Sequence, residues 1–217
     1  RPNTDAFRLI PGLWKESLGF ASSSFFPTVA GFLQSTVLSR FFGLEGVALW
    51  NVGAKIATVL SQILSKLFES SFGGLSELAE KGLGSHMRIR FLTLWASTSG
   101  ISLFLAICLI WVNGPFVDWW TGGALAWPIE ATWGVALWLV TTTITKGIAE
   151  QAKVLLLWRL IRWGPVLDFI ALVSLLALVF LSPTLVNYAF ALALAPLMGS
   201  FIWNARRLYC HMHIKTI

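Results

Sequence analysis

The chain has 217 residues, 56% of them hydrophobic and 12% charged, with a mean hydropathy of +0.74. That composition excludes an ordinary soluble domain. The net charge of +6 does not point to nucleic acid, because the cations sit on alternate connections rather than in one basic patch.

A stretch of about 20 apolar residues crosses the hydrocarbon of a bilayer. Six windows meet that length: Leu18–Ser39, Gly46–Leu67, Phe91–Val112, Ile129–Ala149, Pro165–Leu181 and Thr184–Trp203. The alternation of a β-barrel is absent, and irregular backbone in lipid would leave peptide groups unpaired, so each window is expected to be a helix. The predicted fold is an all-α integral membrane bundle of six transmembrane helices over residues 18–203, with a basic tail at 204–217.

Residues 1–17, RPNTDAFRLIPGLWKES, contain no initiator Met and no secretory signal pattern. They are expected to connect this unit to a preceding part of a longer chain. In the first helix Ser17, Ser24, Thr28, Gly31 and Ser35 form a polar set, and Pro27 is expected to bend the helix by removing a backbone hydrogen bond. In the second, Asn51, Lys55, Thr58, Gln62 and Ser65 follow at steps of 4, 3, 4 and 3, which puts all five on one face. Lys55 lies about nine residues into that window, where a cation costs roughly 2.5–3.5 kcal/mol on insertion scales. No acidic residue within the first two helices is placed to pair with it.

The third connection, VNGPFVDWWTGGALAWPIEA, is expected to be a loop. Trp119, Trp120, Trp127 and Trp133 there read as interfacial anchors, or alternatively as a stacking platform for a sugar. In the fourth helix Thr142, Lys146 and Glu150 step by 4. Asp168 falls near the start of the fifth window, a poor place for a carboxylate that couples ions at depth. The sixth has only Asn187, Tyr188 and a possible kink at Pro196. Small and hydroxylic residues also serve close helix packing, and Lys146 can snorkel toward the inner interface.

Charge orients the bundle. Fourteen of the 16 Lys and Arg lie before the first helix, around the second and fourth connections, or after the last helix; the exceptions are Arg40 and Lys55. The positive-inside rule therefore makes both ends cytoplasmic and the third connection external. No HExxH, CxxC, GxSxG or P-loop spacing occurs, and His86, His211 and His213 fall in segments expected to be cytoplasmic. No enzyme activity, metal site or cofactor is expected, and Cys108 and Cys210 make no disulfide framework.

Three segments carry a family resemblance. LSRFFGLEGVALWNVGAKIATVLSQI resembles a short outer turn followed by a helix, SSFGGLSELAEKG resembles a small-Phe-x-x-LSEL cytoplasmic junction, and VDWWTGG resembles a tryptophan-and-glycine segment before the fourth helix. Together they are similar to the C-terminal half of polysaccharide flippases, in the multidrug/oligosaccharidyl-lipid/polysaccharide exporter superfamily. Gly73-Gly74 stand where an FP-type pair is common in the family.

The resemblance implies one lobe of a two-lobed, inverted-V transporter in the bacterial inner membrane. A missing N-terminal lobe is the implied partner, polyprenyl-pyrophosphate-linked oligosaccharide the substrate, and alternating access the mechanism. It further implies that Lys55, with Arg40 at the outer mouth, meets pyrophosphate, that Asn51, Thr58 and Gln62 bond sugar hydroxyls or water, and that Lys146 joins the substrate site. The competing readings are a multidrug or cation-coupled extruder of the same superfamily and a non-transporting scaffold or transferase subunit.

Overall fold

The structure, a computed structural model, describes residues 4–81, 84–124, 126–154, 158–201 and 204–205. The described residues form six α-helices and no strand. These are α1 (Thr4–Gly53), α2 (Lys55–Glu80), α3 (Gly84–Thr121), α4 (Ile129–Val154), α5 (Trp158–Val179) and α6 (Leu185–Pro196), followed by a π-helical turn, Leu197–Phe201. Arg1 and most of the basic tail, with Arg206, Arg207, Cys210, His211, His213 and Lys215, lie outside the described residues.

The first helix is two segments meeting at a corner. Gly43 has φ 65° and ψ −169°, a region open essentially only to glycine. Beyond it, the Ala54 N–H donates to the Trp50 carbonyl at 2.9 Å and the Thr58 N–H to the Ala54 carbonyl at 3.0 Å, so the helical ladder continues into α2. Phe26 before the corner and Phe68 after it line one cavity, although a straight helix would part them by about 60 Å at ~1.5 Å per residue. The chain therefore turns between Phe26 and Phe68, at the non-helical Gly43 and at a 45° bend between Gly53 and Lys55. At Pro27 the backbone keeps helical dihedrals, and Gly43 is the position in α1 where they are non-helical.

The expected external loop after Val112 is a correction. α3 runs on through Pro115 to Thr121, where Gly122 (φ 62°) and Gly123 (φ 76°) end it. The Gly123 N–H closes the helix on the Asp118 carbonyl at 2.8 Å, as left-handed glycine caps do. Apolarity falls off near Val112, but the backbone ladder stops only where glycine lets the chain reverse. Trp127 also departs from the anchor reading. It packs on Gly53 and Trp50 and donates its indole N–H to the Thr132 hydroxyl at 2.7 Å, whereas Trp119, Trp120 and Trp133 are exposed.

Three buried clusters hold the bundle together. Val37 and Leu38 of α1 pack with Leu172, Leu176 and Val179 of α5 and with Tyr188 and Leu192 of α6. Ala54, Ala57 and Leu64 pack with Leu109 of α3 and with Val135 and Leu139 of α4. Leu75, Met87, Phe91 and Ile148 close the end where α2 passes to α3. Tyr188 is fully buried, edge-on to Trp50, and its hydroxyl donates to the Gln34 carbonyl at 3.4 Å.

The expectation of an all-α fold holds among the described residues, but length and apolarity alone mark fewer spans than six. His86–Thr121 can cross a membrane by itself. Ser24–Gly53 and Lys55–Leu78 meet the test only as a pair, and Trp163–Val179 and Leu185–Phe201 are apolar but shorter.

Candidate functional site

The polar residues of the α1–α2 hairpin separate into two groups once hydrogen bonds are counted. Thr28, Ser35 and Thr36 donate to carbonyls four residues back, at 2.8, 3.0 and 2.9 Å. Thr58 does the same to the Ala54 carbonyl at 2.9 Å. These hydroxyls are satisfied within their own helix and ask nothing of their surroundings. Asn51, Lys55, Gln62 and Arg40 are exposed and have no hydrogen-bond or ion-pair partner among the described residues. The first three occupy one face of the helix that runs from the Gly43 corner, and Arg40 stands just before that corner.

Lys146 belongs to a different place. Its ammonium donates to the Ser65 hydroxyl at 2.9 Å and the Ser61 hydroxyl at 3.5 Å, joining α4 to α2 inside the lobe. Ser65 in turn donates to the Ser61 carbonyl at 2.6 Å. The two helices approach closely here because residue 147 is glycine: a Cβ there would meet Trp95 at 2.5 Å and Phe68 at 2.8 Å. Ser65, expected on the Lys55 face, is thus turned inward and occupied by Lys146.

Lys146 lines a cavity of about 470 Å³ bounded by α1, α2, α4, α5, α6 and the π-helical turn. Glu150 and Lys153 on its wall pair with each other at 2.6 Å. Glu69 takes the exposed Lys66 ammonium at 2.5 Å, which holds its carboxyl below the usual carboxylate range. Trp138, Phe26 and Phe169 supply apolar surface.

Asp168 lies opposite Lys146's helix, on α5, and sequence reasoning undervalued it. α5 begins at Trp158, ten residues before Asp168, rather than at Pro165. Pro165 fits inside the helix, so taking it as the start placed Asp168 too near the end. Its Oδ1 accepts the Ser200 N–H at 2.8 Å. Pro196 ends the α-helical ladder of α6, the turn that follows is π-helical, and the displaced N–H finds the carboxylate. A Cβ at Gly199 would meet Asp168 backbone at 2.7 Å, so α5 and the turn touch there. Asn204, 6% exposed, also lines the cavity, and its Oδ1 has no hydrogen-bond partner among the described residues.

The structure thus sets Asn51, Lys55 and Gln62 on one face, leaves Thr58 beside them with its hydroxyl spent, and sets Lys146 apart from them in a half-open cavity with Asp168 and Asn204. Among the described residues no group of three or more His, Cys, Asp or Glu could hold a metal ion. Compared with protein-family models, curated proteins and solved structures, the chain matches none.

Proposed function

We propose that this chain is a six-span lobe of a bacterial inner-membrane transporter that flips polyprenyl-pyrophosphate-linked oligosaccharide, working against a second lobe and with both ends cytoplasmic. The observation that carries the reading is the exposed, partnerless set of Asn51, Lys55 and Gln62. Lys55 opens α2 directly after the 45° bend and lies twelve residues past the Gly43 corner, about 18 Å of helical rise, which is within a ~30 Å hydrocarbon layer if the corner marks its edge. An unpaired ammonium at that depth is tolerated where it faces water or an anion rather than lipid. A pyrophosphate supplies the anion, and the amides beside it bond hydroxyls of the attached sugar. The second reading, a cation-coupled extruder of the same superfamily, draws its support from Asp168 within the cavity.

The test is photo-crosslinking of a polyprenyl-pyrophosphate disaccharide to the 217-residue chain in nanodiscs. Labelling is expected near residues 51–62, competed by unlabelled substrate and not by polyprenol. Lys55→Ala should reduce it at least tenfold and Lys55→Arg no more than threefold, because charge persists. Equal labelling by polyprenol, or in Lys55→Ala, refutes the reading. Sodium-dependent binding of a cationic drug without saccharide labelling favours the second.

A further inference from the structure

The cavity, half open along its wall, has one charge of each sign outside the ion pairs of the described residues. The described residues form three ion pairs, and neither Lys146 nor Asp168 is in any of them, although both line the same space. An ammonium has three hydrogens; two of Lys146's point to Ser65 and Ser61, and one is left for the cavity. On the other side stand two acceptors, the Asp168 carboxylate and the Oδ1 of Asn204, which no described residue satisfies. Glu69 and Glu150 on the same wall favour the Lys146 charge but are each held by another lysine; Lys146 and Asp168, half-buried and not paired with each other, are both partly stripped of water, and a ligand carrying the complementary pair relieves both without changing the net charge.

We propose that this cavity binds a zwitterion with a primary ammonium and an oxyanion, the chemistry of an ethanolamine phosphate. The oxyanion takes the remaining hydrogen of Lys146, the ammonium donates to Asp168 and Asn204, and the connecting carbons lie against Trp138 and Phe26. The requirement for N–H donors excludes a quaternary ammonium, which can balance charge but cannot satisfy the Asn204 oxygen. The site is separate from the Lys55 face and does not depend on a saccharide substrate.

The experiment is native mass spectrometry of the 217-residue chain extracted from vesicles of phosphatidylethanolamine, phosphatidylcholine and phosphatidylglycerol in equal parts. One phosphatidylethanolamine per chain is expected to stay bound, at least tenfold over the other two lipids. Lys146→Met and Asp168→Asn should each lower retention at least tenfold, and Lys146→Arg no more than threefold. Ala149→Phe, which keeps both charges and narrows the cavity from an exposed wall position, should lower it as well and guards against misfolding of the charge variants.

Free phosphoethanolamine separates the sources: displacement of the lipid means that the headgroup chemistry suffices, and failure to displace it means that the ligand comes from the bilayer. Equal retention of phosphatidylcholine, or of phosphatidylethanolamine in wild type, Lys146→Met and Asp168→Asn alike, overturns the proposal. Stabilisation by sodium alone, lost in Asp168→Asn and without lipid retention, overturns it too.

Discussion

Asn113 shows how much the environment of a single polar side chain decides. It is fully buried in α3, and neither its amide nitrogen nor its oxygen has a hydrogen-bond partner among the described residues. Leaving a buried polar group unsatisfied costs about 1–3 kcal/mol. Asn113→Leu, close in volume and free of that demand, is therefore expected to raise the unfolding temperature of the detergent-purified chain, read by loss of helical circular dichroism; a fall would show that the amide is satisfied by bound water. Lys55→Ala should leave that temperature within a degree or two, since the side chain is exposed and unpaired and surface changes away from special features stay within about 0.5 kcal/mol. Loss of function without loss of stability is the signature expected of Lys55.

At the level of helices, the sequence periodicity located the elements better than their ends. Ile129 opens α4 as expected, and Thr184, the first residue of the sixth window, caps α6 with its hydroxyl on the Asn187 N–H at 3.1 Å. The ends of α3 and α5 were missed because hydropathy reports where lipid would be, whereas a helix ends where its ladder is capped or broken. Partner choice was not legible either. Ser65 looks like a neighbour of Lys55 by spacing, and only the packing at Gly147 turns it to Lys146. Asp168 was undervalued for a related reason, since its depth depended on a boundary seven residues out.

The glycines give a paired test of that packing. Gly147→Leu drives a side chain into Trp95 and Phe68, and overpacking of this kind typically costs about 1–3 kcal/mol. Gly31→Ala meets nothing within 4 Å and removes the backbone penalty of a helical glycine, worth about 1 kcal/mol. The unfolding temperature should fall in the first and rise in the second; equal shifts would mean that α2, α3 and α4 do not meet at residue 147.

Across the whole molecule, Phe26, Phe68 and Trp138 share one cavity, and α3 runs antiparallel to α4, with Trp95 donating to the Ile144 carbonyl at 3.1 Å and Leu109 packing near Val135. Such a bundle, if it spans the bilayer as proposed, must present successive connections to opposite sides. In a background of Cys108→Ser and Cys210→Ser, Lys81→Cys and Ala124→Cys should be labelled by an impermeant maleimide from the inside and the outside respectively. Labelling of both from one face would refute the alternating six-span arrangement. Expressed alone, the chain should fail to restore surface polysaccharide to a flippase-deficient host, because Lys55 has no opposing wall; restoration by a monomer would refute the need for a second lobe.

The π-helical turn at Leu197–Phe201 also bears on how this site can arise and be lost by insertion and deletion. A π turn accommodates one residue more than an α turn, so the segment is equivalent to a single-residue insertion absorbed without shifting the helix that precedes it. Removing Met198, which is 63% exposed and leaves no hole in the core, would let the segment relax to α-helix. Asn204 would keep its facing, because the π turn is what had absorbed the extra residue. The Ser200 N–H would rejoin the helical ladder and leave the Asp168 carboxylate, while α1 to α5 kept their packing. One codon gained or lost is enough to give or take the donor that holds Asp168.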